Sequence, residues 1–203
     1  MKTSKLSVIL LMAGFVFLQT SCDSKETTTT TTGVAGDTIR DGAIVLDDQR
    51  VVADNGVKTL QLQSRSNSQV SGTAELRESE GTVYLTINAT GFPGAGEYAL
   101  HIHEFGDCSA EDASSAGGHW NPDDDAHGKW GHGEFHKGDI GNLTATADGN
   151  VTYEFNTDKW CLGCGDTSKD IVGKSIVIHK DADDFTSQPA GNAGDRIACV
   201  VIQ

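Results

Sequence analysis

Residues 69–90 read QVSGTAELRESEGTVYLTINAT, and this stretch decides which kind of fold the chain can have. Every second residue is small or apolar in two successive runs, first Val70, Gly72, Ala74 and Leu76, then Val83, Leu85, Ile87 and Ala89. A period of two residues is that of a strand with one buried face. Because only the short polar segment 79–81 separates the runs, the stretch predicts an antiparallel β-hairpin.

The rest of the chain continues the β pattern, and from Val57 onward no long window has a period of 3.6 residues. Further strands are predicted over 97–103, 140–146, 151–155, 171–179 and 196–202. This spacing is typical of an antiparallel sandwich or barrel. Segment 40–54 fits either an extra strand or an ordered arm.

Two long segments, 104–138 and 180–195, have no regular pattern. Loops of this length in a compact domain are usually functional. Each begins directly after a predicted strand that carries histidine, so we expect the functional site where these two loops leave the sheet.

The histidines are concentrated in residues 101–139, which read HIHEFGDCSAEDASSAGGHWNPDDDAHGKWGHGEFHKGD. This stretch holds all of the chain's seven histidines except His179. Imidazole is the commonest metal-ligating side chain, and a cluster that ends in aspartate indicates a site for one or two transition metals.

The strand-borne histidines suit a shared metal. Residues two apart on a strand point to the same face, so His101 and His103 can approach one ion while Ile102 points into the core. His179 ends another apolar strand. A metal held by imidazoles from two strands is therefore geometrically simple.

The loop-borne residues form a second candidate set, His119, His127, His136 and Asp139. Three imidazoles and a carboxylate make a closed four-ligand set of the kind that zinc prefers. Loop 104–138 has little apolar surface of its own, so a bound metal would supply much of its ordering free energy. The alternative is a solvated loop, or a tract that sequesters metal without specificity.

The first residues predict export. Lys2 and Lys5 precede an apolar run over 6–18 and then Cys22, so we interpret residues 1–21 as a signal peptide and Cys22 as a lipidation site. The threonine-rich residues 22–40 would be a lipidated flexible tether, and residues 41–203 the globular β domain. A secreted chain with a spare thiol is the alternative.

Charge and cysteine content narrow the class further. The chain has 15 basic and 29 acidic residues; without residues 1–21 it has two lysines fewer and a formal charge of −16. Such acidity excludes nucleic acid as an expected partner. Four cysteines remain besides Cys22, and in an exported chain we expect disulfides among Cys108, Cys161, Cys164 and Cys199, with three pairings open.

Six segments in order carry a resemblance to a known family: HIHEFGD, GGHWNP, HG, HKGDIGNL, VIHKDADD and GNAGDRIACVVI. Together they resemble the copper,zinc superoxide dismutases, over about residues 57–202. The resemblance implies an all-β fold, an eight-stranded antiparallel Greek-key β-barrel or sandwich with two long metal-binding loops.

The resemblance also assigns residues, position by position. It implies four copper ligands and four zinc ligands that share one histidine: copper by His101, His103, His119 and His179, and zinc by His119, His127, His136 and Asp139. Asp183 matches the aspartate that links a copper ligand to a zinc ligand. Arg196 matches the active-site arginine, and Cys108 with Cys199 match the family disulfide.

The implied activity is disproportionation of superoxide to O2 and hydrogen peroxide at a redox copper, with zinc structural and His119 exchanging a proton. Superoxide would be the substrate of an oxidoreductase that is lipid-anchored through Cys22 in the bacterial cell envelope, at the periplasm or the outer surface. A homodimer is compatible with the resemblance, although no motif marks an interface. The alternative is a non-enzymatic lipoprotein that buffers copper and zinc on the same fold.

Three features depart from the family pattern. Loop 180–195 has no lysine beyond Lys180, so Lys129 and Lys137 become the candidates for steering an anionic substrate. His132 has no counterpart among the ligands and is interpreted as a surface residue, with replacement of His127 in the zinc set as the alternative. Cys161 and Cys164 predict a local disulfide that staples a loop, and the alternative is a redox or copper-delivery dithiol.

Overall fold

A computed structural model describes the backbone of residues 44–46 and 50–52 and the whole chain from 56 to 203. The predicted signal peptide, Cys22 and the tether lie outside these residues. The described residues include no α-helix, and therefore none that is long and apolar enough to cross a membrane. The strands are β1 (Ile44–Leu46), β2 (Arg50–Val52), β3 (Lys58–Ser64), β4 (Ser71–Ser79), β5 (Thr82–Thr90), β6 (Gly96–His103), β7 (Asp139–Ala145), β8 (Val151–Thr157), β9 (Ser175–His179) and β10 (Arg196–Val201).

The hairpin predicted over 69–90 is β4 and β5, which pair in register from Ser71 and Thr90 to Ser79 and Thr82. The alternating apolar residues face the core, since Leu76 and Leu85 are buried opposite each other. Glu80 and Gly81 turn the chain, with φ of 52° and 74° respectively. Two successive positive φ angles are those of a type I′ turn, which suits the twist of a hairpin.

Eight strands form the sheet in the order β7-β6-β9-β10-β3-β4-β5-β8, and every pairing is antiparallel. The connections β5 to β6 and β8 to β9 cross to strands that are not neighbours, as a Greek key requires. The two edge strands, β7 and β8, follow each other in sequence across a turn in which Thr146 N donates to Asn150 O (2.9 Å). The predicted eight-stranded Greek-key barrel is therefore confirmed, and it is nearly closed.

The structure resolves one alternative that the sequence left open in favour of strands, and it differs from the sequence-based expectation at one strand boundary. The ambiguous segment 40–54 contains two short strands, because β1 pairs with β2 and β2 pairs with β3. The strand predicted over 171–179 begins only at Ser175. Residues 171–174 form a turn in which Lys174 N donates to Ile171 O (3.2 Å), with Gly173 at a φ of 83°.

The barrel has two apolar regions. Its interior is filled by aliphatic and aromatic residues from all eight strands, including Leu60, Leu85, Leu100 and Ile176. A smaller cluster of Cys108, Ala113, Ala116, Val177 and Cys199 lies apart from it. Val177 pairs with His101 across β6 and β9, so both side chains are on the outer face of the sheet. Loop 104–138 thus packs on the same face that presents the histidines.

Candidate metal centre

Strands β6 and β9 present three buried imidazoles on the outer face of the barrel. His101, His103 and His179 have exposed fractions of 0%, 1% and 4%. His103 Nε2 lies 3.2 Å from His179 Nε2, and loop residue His119 joins them through a backbone bridge to His103. One ligand atom from each of the four histidines lies within 4.8 Å of the others. We call His101, His103, His119 and His179 the strand set.

The second group gathers around the Asp139 carboxylate at the start of β7. His119 Nδ1 and His136 Nδ1 lie 2.8 and 3.1 Å from Asp139 Oδ1. His127 Nδ1 lies 3.0 Å from Oδ2, although it is not aligned for a hydrogen bond. Their ligand atoms also lie within 4.8 Å of one another. We call His119, His127, His136 and Asp139 the loop set, and His119 belongs to both sets.

Several ring nitrogens of these sets are buried without a hydrogen-bond partner among the described residues: His101 Nδ1, His119 Nε2 and His127 Nδ1. Such orphaned polar atoms are costly in a protein interior unless an ion or water satisfies them. A tetrahedral zinc with bonds of about 2.0–2.1 Å holds its ligand atoms about 3.3 Å apart. The loop-set imidazoles lie 2.8 to 3.1 Å from one or other oxygen of Asp139, and His103 Nε2 lies 3.2 Å from His179 Nε2, so the donor atoms of each set are spaced for a metal ion.

The Asp183 carboxylate joins the two sets. Its Oδ2 lies 2.9 Å from His101 Nε2, and its Oδ1 lies 2.9 Å from His127 Nε2. Each imidazole therefore has one nitrogen tied to Asp183 and the other turned toward its own ligand set. A carboxylate in this position fixes the ring orientation and the tautomer of a ligating histidine.

Burial lowers the pKa of the strand-set imidazoles. Desolvation is the largest cause for each of them, and it lowers the pKa of His103 and His179 well below the ordinary value. The pKa of His119 falls to about 4, with neighbouring His101 adding to the effect of burial. At neutral pH these rings are uncharged, which is the form that binds a metal.

The loop set has the opposite electrostatic character. Burial would lower the pKa of His127, but its contacts with Asp139 and Asp183 outweigh burial and raise that pKa to about 9. Burial disfavours the charged form of Asp139 as well, yet its close contacts with the His119, His127 and His136 imidazoles hold its pKa well below the usual range. The loop set is therefore organised around one anionic carboxylate.

Arg196, the first residue of β10, lines a cavity of about 520 Å³ beside the strand set. It pairs with His179 across the two strands, and its guanidinium donates to Ala113 O and Gly117 O, both at 2.6 Å. The cavity lining also includes His103, Gly118, His119, Asn121, His136, His179, Gln188, Pro189, Ala190, Asn192, Ala193 and Gly194. Among these described lining residues Arg196 is the one arginine, and there is no lysine.

Neither lysine considered for steering lines this cavity. The Lys137 ammonium lies 2.9 Å from Asp123 Oδ2 and donates to Ser168 O at 2.9 Å. The Lys129 ammonium lies 5.4 Å from the ring centroid of Phe185. Lys137 thus connects Asp123 of loop 104–138 to Ser168, and the positive charge at the cavity comes from Arg196.

Both predicted disulfides are present. Cys108–Cys199 joins loop 104–138 to β10, and its two cysteines are 91 residues apart in sequence. Cys161 and Cys164 are only 3 residues apart, so their disulfide closes a short loop. On a loop-closure estimate the first stabilises the fold by about 4.6 kcal/mol and the second by about 2 kcal/mol. The residue before this short loop contacts loop 104–138, since the buried Trp160 Nε1 donates to Lys137 O (2.8 Å).

His132 is exposed and lies in none of the potential ligand groups among the described residues. Its backbone N–H donates to Lys129 O (3.0 Å) and closes a turn over residues 129–132. His127, by contrast, is buried against Asp139 and Asp183. The geometry favours His127 over His132 as the loop-set ligand.

Sequence reasoning missed several residues that shape the site. Glu104 Oε1 accepts from Gly118 N (3.1 Å), and a Cβ on Gly191 would overlap Asp183 Oδ1 and His127 Nε2. Asn142 and Gln188 bind backbone groups of Asp183 and His127. These residues carry no metal-ligating signal, so only the folded chain reveals them.

Residues 70–202 match the sequence model of a protein family that is described as "Copper/zinc superoxide dismutase (SODC)". The match covers more than half of the chain, and it includes both ligand sets, Asp183 and Arg196. The chain belongs to the copper/zinc superoxide dismutase family, as the motifs predicted.

Individual relatives agree. The chain is 39% identical over 140 residues to copper-zinc superoxide dismutase 2 of Aquifex aeolicus (strain VF5), covering 68% of this chain and 82% of that protein. It is 36% identical over 146 residues to a copper-zinc superoxide dismutase of Botryotinia fuckeliana, covering 68% and 92%.

Solved structures support the fold assignment. A SOD-like protein from Bacillus subtilis is 32% identical and superimposes with a TM-score of 0.64, covering 73% of this chain and 99% of that chain. A double mutant of that protein, in which a tyrosine and a proline are replaced by histidine, is 36% identical with a TM-score of 0.63, covering 70% and 94%.

Proposed function

We propose that this protein is a superoxide dismutase, an oxidoreductase that converts superoxide to O2 and hydrogen peroxide. The observation that carries the proposal is the sharing of His119 by two complete four-ligand sets, each containing buried ring nitrogens without a protein partner. Family membership supplies the cofactors, copper and zinc. Copper, when bound, supplies one-electron redox chemistry, and zinc supplies a structural charge.

We assign copper to the strand set and zinc to the loop set. The strand set is four imidazoles, a ligand type that suits copper, and the loop set is three imidazoles with a carboxylate, which suits zinc. His119 presents Nδ1 to the Asp139 side, while its Nε2 is the orphaned nitrogen. A ring with a nitrogen on each side can serve both sets, and it can hold or release a proton at Nε2.

Arg196 would bind the substrate anion. Its half-buried guanidinium lies in the cavity with His103, His119 and His179, and its two donated hydrogen bonds fix its orientation. The chain as a whole is acidic, with a formal charge of −14. Local positive potential is therefore needed to attract an anion to this cavity.

The disulfides and the bacterial relatives indicate a location outside the cytoplasm. Our proposal adds a lipid anchor: residues 1–21 are cleaved as a signal peptide, Cys22 is acylated, and residues 22–40 tether a domain of residues 41–203 to the cell envelope. Mass spectrometry of the exported protein tests this, because a Cys22→Ala variant should lose the lipid mass and leave the membrane fraction.

The decisive test of the activity combines metal analysis with superoxide consumption by the same preparation. We expect one copper and one zinc per chain and turnover that disappears on chelation of copper. Stoichiometric metals without turnover would instead support the copper- and zinc-buffering lipoprotein, which the relatives' names do not favour. Sedimentation of the same sample determines whether the protein is the homodimer that the resemblance allows.

A further inference from the structure

Two side-chain amides each pair with both backbone groups of a residue in the metal centre. Gln188 Oε1 accepts from His127 N (2.9 Å), and Gln188 Nε2 donates to His127 O (2.8 Å). In the same way Asn142 Oδ1 accepts from Asp183 N (2.7 Å), and Asn142 Nδ2 donates to Asp183 O (3.0 Å). Each amide reproduces the paired hydrogen bonds that a neighbouring strand would give.

His127 depends on such a partner because it lies in a loop, not a strand. It is buried, so its backbone N–H and C=O need partners within the protein. His101 and His103 obtain theirs from the ladders of β6. At His127 the Gln188 side chain takes the place of a ladder.

The loop that carries Gln188 also holds the ring of His127. Asp183 Oδ1 lies 2.9 Å from His127 Nε2, so residues 183 and 188 of one loop fix the ring and the backbone of one histidine. Gly191 brings this loop close enough, since a Cβ there would meet the His127 ring. Two residues of loop 180–195 therefore restrain His127, one at its ring and one at its backbone.

We propose that Gln188 is a positioning residue that holds His127 for zinc and thereby sets how tightly and how long zinc is retained. This rests on the proposed assignment of His127 to the zinc set. Gln188 itself does not ligate the metal; it acts through the backbone of His127. Loop 180–195, which lines the cavity beside the strand set, thus controls the zinc affinity of the loop set.

The test is a Gln188→Met variant, which keeps an unbranched side chain of similar size and removes both hydrogen bonds to His127, together with a longer one to Thr186 O (3.4 Å). Partners of metal ligands typically change affinity by 10–100-fold, and we expect about tenfold weaker zinc binding and faster zinc release. Copper affinity should stay within about twofold, because the backbone of the strand set is held by β6 and β9. With Co(II) in place of zinc, the visible absorption spectrum should change, since it reports the ligand geometry around the ion.

The matched control is Asn192→Gly in the same loop. The Asn192 amide also borders the cavity, but it donates to Asp184 Oδ2 (3.0 Å) and Ser187 Oγ (2.7 Å), within its own loop. Its φ of 52° suits glycine, so the change adds no backbone strain. We expect native zinc affinity and a native Co(II) spectrum from this variant.

Two results would overturn the proposal: native zinc affinity in Gln188→Met, or an equal loss in Asn192→Gly, which would reveal only the general order of the loop. Because the Gln188 side chain is exposed, both Gln188→Met and a second variant, Gln188→Ala, should fold, and their unfolding midpoints verify this. Failure of the native chain to bind zinc would contradict the proposed function instead, so the two failures are distinguishable.

Discussion

The strand set and the loop set lie side by side and share His119, yet the chain builds them from different material. His101 and His103 are consecutive outward residues of β6, and the ladder with β9 fixes their positions opposite Val177 and Ser175. His127 and His136 come from loop 104–138, and only Asp139 begins a strand. The strand set is therefore largely part of the barrel, whereas the loop set is an arrangement of loop segments around a carboxylate.

The electrostatic contrast follows the structural one. In the strand set burial keeps the imidazoles neutral, so a metal meets ligands that are ready to bind. In the loop set Asp139 and Asp183 raise the pKa of His127 to about 9. At neutral pH the metal-free chain thus keeps a proton where we assign zinc. The strand set can therefore bind a metal without a change of protonation. At His127 of the loop set, a bound metal must replace a proton.

The largest expected effect is on the strand set. A His179→Ala variant should lose superoxide turnover by more than about 100-fold, because loss even of a ligand's partner costs 10–100-fold. Amide hydrogen exchange in loop 104–138 of the zinc-loaded protein should remain slow, since the loop set is intact. His132→Ala is the control and should retain native turnover. If the loop became unprotected in His179→Ala, the two sets would not be separable.

An Asp139→Asn variant reverses the pattern. It removes the charge that three imidazoles contact, and we expect zinc affinity to fall by about 100-fold. Hydrogen exchange in loop 104–138 should accelerate while β6 and β9 stay protected. Copper binding to His101, His103 and His179 should survive. An ordered loop in the zinc-free variant would contradict the view that the carboxylate and its metal organise this region.

Titration sharpens the contrast without any substitution. The pKa of His127 is about 9, so below that pH the metal-free chain holds a proton on this ring. Zinc must displace the proton, and the apparent zinc affinity should therefore fall as pH falls. Between pH 8.5 and pH 7 the loss should be about 25-fold, and well below pH 9 it approaches one decade for each pH unit. Copper affinity should be nearly flat over this range, because the pKa of His119 is about 4. Competition with a chelator of known pH dependence measures both, and parallel curves would refute the contrast.

The smallest effect concerns the approach of substrate. Arg196→Gln should lower kcat/KM by about tenfold at low salt and by less at high salt, since removal of the charge weakens a screened attraction. Lys137→Gln is the matched control, because that lysine is paired with Asp123 outside the cavity. A larger salt-dependent loss in Lys137→Gln than in Arg196→Gln would assign the steering charge to the loop.

The same contrast explains what the sequence could predict. The hairpin β4–β5 and the strand-borne histidines follow from a two-residue period, because alternation alone determines which side chains share a face. The ladder partner of His101 could not be derived from periodicity, since strand order depends on Greek-key connections between distant segments. The resemblance to the family supplied the Greek-key topology and the sharing of His119 between the two ligand groups.

The contacts of the loop set were beyond prediction. The sequence around Gln188 does not indicate that its amide binds the backbone of His127, and the sequence around Asn142 does not indicate that its amide binds the backbone of Asp183. The sequence makes Lys137 a candidate for steering the substrate, whereas in the fold its ammonium contacts Asp123 and Ser168. Such contacts depend on loop geometry and on close approaches such as that of Gly191, which have no periodic signature.

The most direct test of the shared His119 uses copper in the strand set and Co(II) in place of zinc. If one imidazole bridges both ions, magnetic coupling through the ring should remove the Cu(II) electron paramagnetic resonance signal seen with copper alone. The account predicts that the signal disappears when Co(II) is added to one equivalent per chain. An unchanged Cu(II) spectrum with both ions bound stoichiometrically would contradict it.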